Sequence, residues 1–208
     1  MPDDPAFIRM IAATPDDDAP RLVYADVLDE RGDAASVARA EFIRVQCERA
    51  RLEPDSPPWR VLWRRDADLL DWARRWRMEL PAIEGIQFGG FLRGFIDHVT
   101  ADAEPLSRHF RVILDAVPLR KLTLEKSNTE ISRRIVAMSE LTEVIELELS
   151  LQYPVRGENL LMFADRGPWP RLRRLHVPVL SERGDRRRGR LRDIQKVLYA
   201  KFGDRLTL

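Results

Sequence analysis

Leu119-Arg120-Lys121-Leu122-Thr123-Leu124, Val144-Ile145-Glu146-Leu147-Glu148-Leu149 and Leu172-Arg173-Arg174-Leu175-His176-Val177 repeat one pattern: an apolar residue, a second three positions on, and a third two after that. Looser copies stand at Phe91-x-x-Gly94-x-Ile96 and Gly203-x-x-Leu206-x-Leu208. The central residues of successive copies lie about 28, 25, 28 and 31 positions apart, a period at which stacked repeat units are built. Alternating apolar and polar residues in the second half of each copy place the two classes on opposite faces of a strand. The leading residue then falls on the turn into it.

Between these strands the period changes to that of a helix. Leu106, Phe110, Ile113, Leu114 and Val117 share one face over 104–117, and Ile131, Ile135 and Met138 do so over 129–140. A shorter helical turn is expected at 159–164, and Leu191, Ile194, Val197 and Leu198 mark a helix over 191–202. Strand and helix in constant order predict a parallel sheet with helices on its outer side, a short leucine-rich-repeat-like solenoid over residues 83–208. The glycine-punctuated stretch 85–99 is expected to form a hairpin or two short strands. The fold class is therefore α/β.

The chain before residue 54 reads as helices. Phe7, Ile8 and Ile11 line one face of a helix over 3–14. The turn Thr14-Pro15-Asp16-Asp17-Asp18-Ala19-Pro20 leads into a second, with Pro20 in its first turn and carboxylates placed to cap free amides. That helix stops at Gly32-Asp33, and Leu22, Ala25 and Leu28, or Val23 and Val27, mark its buried side. Tyr24 and Asp26 are expected to make buried hydrogen bonds. A third helix over 36–52 carries Phe42, Ile43, Val45 and a buried Cys47.

The run PDDDAPRLVYADVLDERGD, followed by ARAEFIRVQCERARL, closely resembles the repeat-companion domain of bacterial proteins, over residues 3–53. The residues that carry the resemblance are Asp18, Pro20, Arg21, Leu22, Tyr24, Ala25, Asp26, Leu28, Glu30, Gly32, Asp33, Arg39, Glu41, Phe42, Ile43 and Gln46. Val27 stands where that family commonly has tryptophan. The resemblance implies a helical module at 1–53 without an established activity, tied to repeat scaffolds. Residues 54–82 follow as a tryptophan-rich helix, with Trp59 and Trp63, and Trp72 and Trp76, paired on common faces. Covering the open end of the repeat stack is their expected task.

Composition narrows the function. Residues 1–53 hold 12 Asp and Glu against 7 Arg and Lys, while residues 170–208 hold 12 Arg and Lys against 4 acids, within a net charge of +1. A single cysteine excludes a disulfide framework and a CxxC zinc site, no apolar run reaches the length of a membrane span, and the acidic start lacks signal-peptide features. A cytoplasmic location is expected. His98, His109 and His176 share no ligand spacing, Asp16–Asp18 lack the spacing of a calcium loop, and no phosphate-cradling glycine loop, GxSxG or HExxH occurs. No catalytic residue, metal or cofactor is assigned, and the chain is read as a non-enzyme. A hydrolase built on the acidic module would need Asp26, Asp29 or Glu30 beside a base or metal.

The expected function is to bind another protein through the concave strand face, at Arg93, Phe95, Asp97, Lys121, Thr123, Glu146, Glu148, Arg174 and His176. The alternative is nucleic-acid binding through an arginine-rich loop, at Arg183, Arg186, Arg187, Arg188 and Arg190, which could equally dock an acidic partner. Base-stacking aromatics are missing around that loop.

Overall fold

A computed structural model describes residues 4–126, 129–149, 161–162, 165, 169–177 and 185–207, with backbone alone at 129, 131–132 and 185–192. The chain divides into two compact units. One comprises Met1–Ala82, Gly89–Asp97 and Val112–Leu119, the other Ile83–Phe88, His98–Arg111 and Arg120–Leu208.

The first unit is built on helices α1 (Pro5–Ala13), α2 (Ala19–Arg31), α3 (Ala34–Arg49), α4 (Pro57–Asp68) and α5 (Leu70–Met78). Asp4 caps α1 through the Ala6 amide, and the Asp33 carboxylate accepts from the Ala35 and Ser36 amides at the start of α3. Gly32 ends α2 with a left-handed φ of 72°, which glycine adopts without Cβ strain. Helix α3 is buried on several sides, from Ala40 and Ile43 to Arg39 and Gln46. Its residues therefore show no single apolar stripe.

Two apolar clusters flank α3. Ile8, Ile11, Tyr24, Ala25, Leu28, Ile43, Cys47 and Phe95 form one. Phe42, Leu69, Ala73 and Trp76 form the other, with Trp72 and Phe91 against it. The expected single tryptophan helix is thus two, broken at Leu69, and Trp72 and Trp76 pack within the first unit. Trp63 remains exposed.

Strands β2 (Phe91–Leu92) and β3 (Phe95–Ile96) form an antiparallel hairpin of the first unit. Arg93 and Gly94 at its tip both have positive φ, 49° and 86°, as a type I′ turn requires. A Cβ on Gly94 would lie 2.5 Å from Ile43 Cγ1 and 2.8 Å from its Cα. The Gly94 amide donates to Gln46 Oε1 at 2.9 Å, so the tip is seated directly on α3. This contact corrects the expected first repeat: Phe91-x-x-Gly94-x-Ile96 belongs to the hairpin, because its central residue is a turn glycine rather than a strand residue. Residues 89–97 and 112–119 group with the first unit.

In the second unit six strands pair in the order β1-β4-β5-β6-β7-β8. They are β1 (Ile86–Phe88), β4 (His98–Asp102), β5 (Lys121–Glu125), β6 (Glu146–Leu149), β7 (Arg174–His176) and β8 (Leu206–Thr207). β1 is antiparallel to β4, and every other neighbouring pair is parallel. Val99, Leu122, Leu147, Leu175 and Leu206 stand in one register, and Ala101, Leu124 and Leu149 form a second row. The first rung is therefore Val99-x-Ala101. The leading residues Leu119, Val144 and Leu172 are buried as well.

Helices α6 (Ala103–Ala116), α7 (Thr129–Ala137) and α8 (Asp185–Phe202) alternate with the parallel strands. Each rung opens alike: the Arg120 carbonyl accepts from the Ile145 and Glu146 amides, and the Ile145 carbonyl from those of Arg173 and Arg174. The result is an α/β protein with a mostly parallel sheet. The arginine-rich stretch expected as a loop is helical from Asp185, where α8 begins.

Candidate functional site

Opposite the leucine rows, the strands of the second unit carry polar side chains in matching register. His98, Lys121, Glu146 and Arg174 form one row, and Thr100, Thr123, Glu148, His176 and Thr207 the next. The period-two alternation of a strand fixes this arrangement once the leucines are committed to the core. Of the sequence-predicted residues, Lys121, Thr123, Glu146, Glu148, Arg174 and His176 are brought together here.

Both glutamates lie on β6, between cations from the strands on either side. Glu146 accepts from Arg120 at 3.1 Å and from Arg174 at 3.2 Å. Glu148 pairs with Lys121 at 2.7 Å. That lysine, and then the neighbouring His176 and His98, hold the Glu148 carboxyl below its usual value against an opposing effect of partial burial. His98 Nε2 meets Thr123 Oγ1 at 3.0 Å, and the Thr123 hydroxyl reaches Glu148 Oε2 at 3.5 Å. Thr123 is only 7% exposed, so it acts as a bridge between its neighbours rather than as a contact for a large partner. His98 was missed as a site residue. The register of β4 brings it in, and the mistaken first repeat had hidden that register.

Arg93, Phe95 and Asp97 are placed elsewhere, which corrects their assignment to the strand face. Phe95 is buried in the core of the first unit, 6.1 Å from the Tyr24 ring. Asp97 is buried between β3 and β4. Arg93 donates to the Pro15 carbonyl at 2.8 Å and, at 3.3 Å, to the Asp16 carbonyl and the Asp18 carboxylate. Arg183 lies outside the described residues. For Arg186, Arg187, Arg188 and Arg190 the backbone alone is described, within α8.

No family model, curated protein or solved structure matches this chain.

The acidic turn before α2 is tied to structural partners. Asp17 caps α2 through the Ala19 amide at 2.9 Å. Asp18, expected to cap, instead binds Arg51 and Arg93. Asp26 is exposed and shares Arg44 with Asp29, contrary to the expected buried bond, whereas Tyr24 is buried and its hydroxyl accepts from the Asp4 amide at 3.2 Å. Burial pushes the Cys47 thiol up to about 12, far from the range in which a thiolate attacks. Among the described residues no group of three or more His, Cys, Asp or Glu is arranged to hold a metal ion. Among the same residues no helix is long and apolar enough to cross a membrane.

Proposed function

We propose that this chain is a non-enzymatic scaffold that captures a partner protein on the polar face of its parallel sheet. In this reading the second unit is a short leucine-rich-repeat-like solenoid in the cytoplasm, and the first is the repeat-companion module that residues 3–53 resemble. The observation that carries the reading is the pair of polar rows in register across adjacent parallel strands, Lys121–Glu146–Arg174 and Thr123–Glu148–His176. Backbone pairing fixes the spacing of these groups before any partner arrives. Little conformational entropy is then lost on binding. The ion pairs within the rows are partly exposed and each adds about 0–1 kcal/mol to stability, so their value is orientation of the charges.

The pairing also makes a clean test. Reversing Lys121→Glu with Glu148→Lys, and Glu146→Lys with Arg174→Glu, preserves both cross-strand pairs while inverting the pattern a partner meets. Arg120 is left beside a like charge, a cost of about 0.5 kcal/mol. Affinity capture from the native host should lose its partners with this variant while circular dichroism stays unchanged. An identical set of captured partners would sink the proposal.

A further inference from the structure

The first unit contains a cleft of about 860 Å³ that the sheet-face reading does not use. Its lining carries four carboxylates, Asp4, Asp33, Glu79 and Asp115, against two arginines, Arg31 and Arg39. Helices α2, α5 and α6 end at it, at Arg31, Glu79 and Ala116, and α1 and α3 begin at it, with Asp4 and Asp33 as their N-caps. Arg39 is a buried part of the lining, 4.8 Å over the Trp76 ring and 5.0 Å over Phe95. The walls are apolar: Trp76, Leu80 and Val112, the last of these exposed. Carboxylates beside apolar side chains suit a guanidinium at the end of an aliphatic stem, because such a side chain covers apolar surface while its head meets carboxylates.

The chain carries that complement itself. Residues 183–192 hold six arginines and Leu191, in a region whose charge is +8, whereas the cleft lining has two more carboxylates than arginines. We propose that this cleft receives the arginine-rich stretch 183–192 of a second copy, giving a head-to-tail association driven by charge. Each molecule bears one cleft and one stretch, so association is heterologous and grows with concentration. Opposite charges also speed the encounter, and salt suppresses it.

Analytical ultracentrifugation of the full chain tests this. At low salt the average mass should rise with concentration, and in 1 M salt, where the screening length is about 3 Å, it should return to that of the monomer. Two variants, Arg186→Glu/Arg187→Glu/Arg188→Glu and Glu79→Lys/Asp115→Lys, should each lose association. Their equimolar mixture should recover it at least tenfold over either alone. A synthetic peptide of residues 183–192 should compete with self-association and shift the NMR signals of Trp76 and Val112, a measurement on the unaltered chain that stands even if the cleft variant fails to fold. A wild-type chain that stays monomeric at every concentration overturns the proposal. So does association that survives either charge reversal in a folded protein, or a peptide that leaves the cleft signals unmoved.

Discussion

The two units reach a buried core by different routes. In the second, apolar residues in the same register fill row after row, valine and alanine on the first rung and leucines on those that follow. In the first, helices α2 and α3 carry polar groups inward, most with partners particular to each residue. Arg21 is 2% exposed, with one donor on the Asp17 carbonyl at 2.7 Å, and burial, then Arg93, pull its guanidinium below its usual value. Gln46 joins α4 to the hairpin through Asp66 and the Gly94 amide. A core of individually matched polar groups depends on each being satisfied, since an unpaired buried group loses its hydration without return.

This contrast can be broken by experiment. The largest effect is expected for Leu147→Ala in the middle of the leucine row, a loss of about 3 kcal/mol in denaturant unfolding. A loss below about 1 kcal/mol would mean that the row is not a continuous core. Next is Gly94→Ala, where an imposed left-handed φ and the collision with Ile43 together should remove about 2–3 kcal/mol. An unperturbed melting curve would show that the hairpin does not rest on α3.

The smallest effect sharpens the polar face. The folded Glu148 carboxyl is depressed, so its contribution is present above the unfolded-state value and disappears as pH falls through the lower folded one. Wild type should exceed Glu148→Gln by less than about 1 kcal/mol at neutral pH, and the two should converge in acid. A difference that persisted at low pH would assign the effect to packing instead of charge.

The repeat was legible because a strand's alternation and a constant period both survive in one dimension. Leu122, Leu147 and Leu175 fall in register as the spacing required, and the polar residues between them followed onto the other face. The reading failed at the first copy, where Phe91, Gly94 and Ile96 imitate the pattern while the pairing strand is His98–Asp102. A glycine in the central position was the available warning, since a repeat core needs a side chain there. Asp18 was assigned to a cap because capping is a local rule, whereas Arg51 and Arg93, its actual partners, lie far along the chain.

What the sequence by itself determined is the class of the fold and the register of its parallel strands, since apolar periodicity acts between neighbours along the chain. Tertiary structure alone decided which charges are buried, which face His98 joins, and that helix ends gather carboxylates around a cleft. Those outcomes depend on distant segments meeting, and the free energy of a charge is set by whatever surrounds it in space.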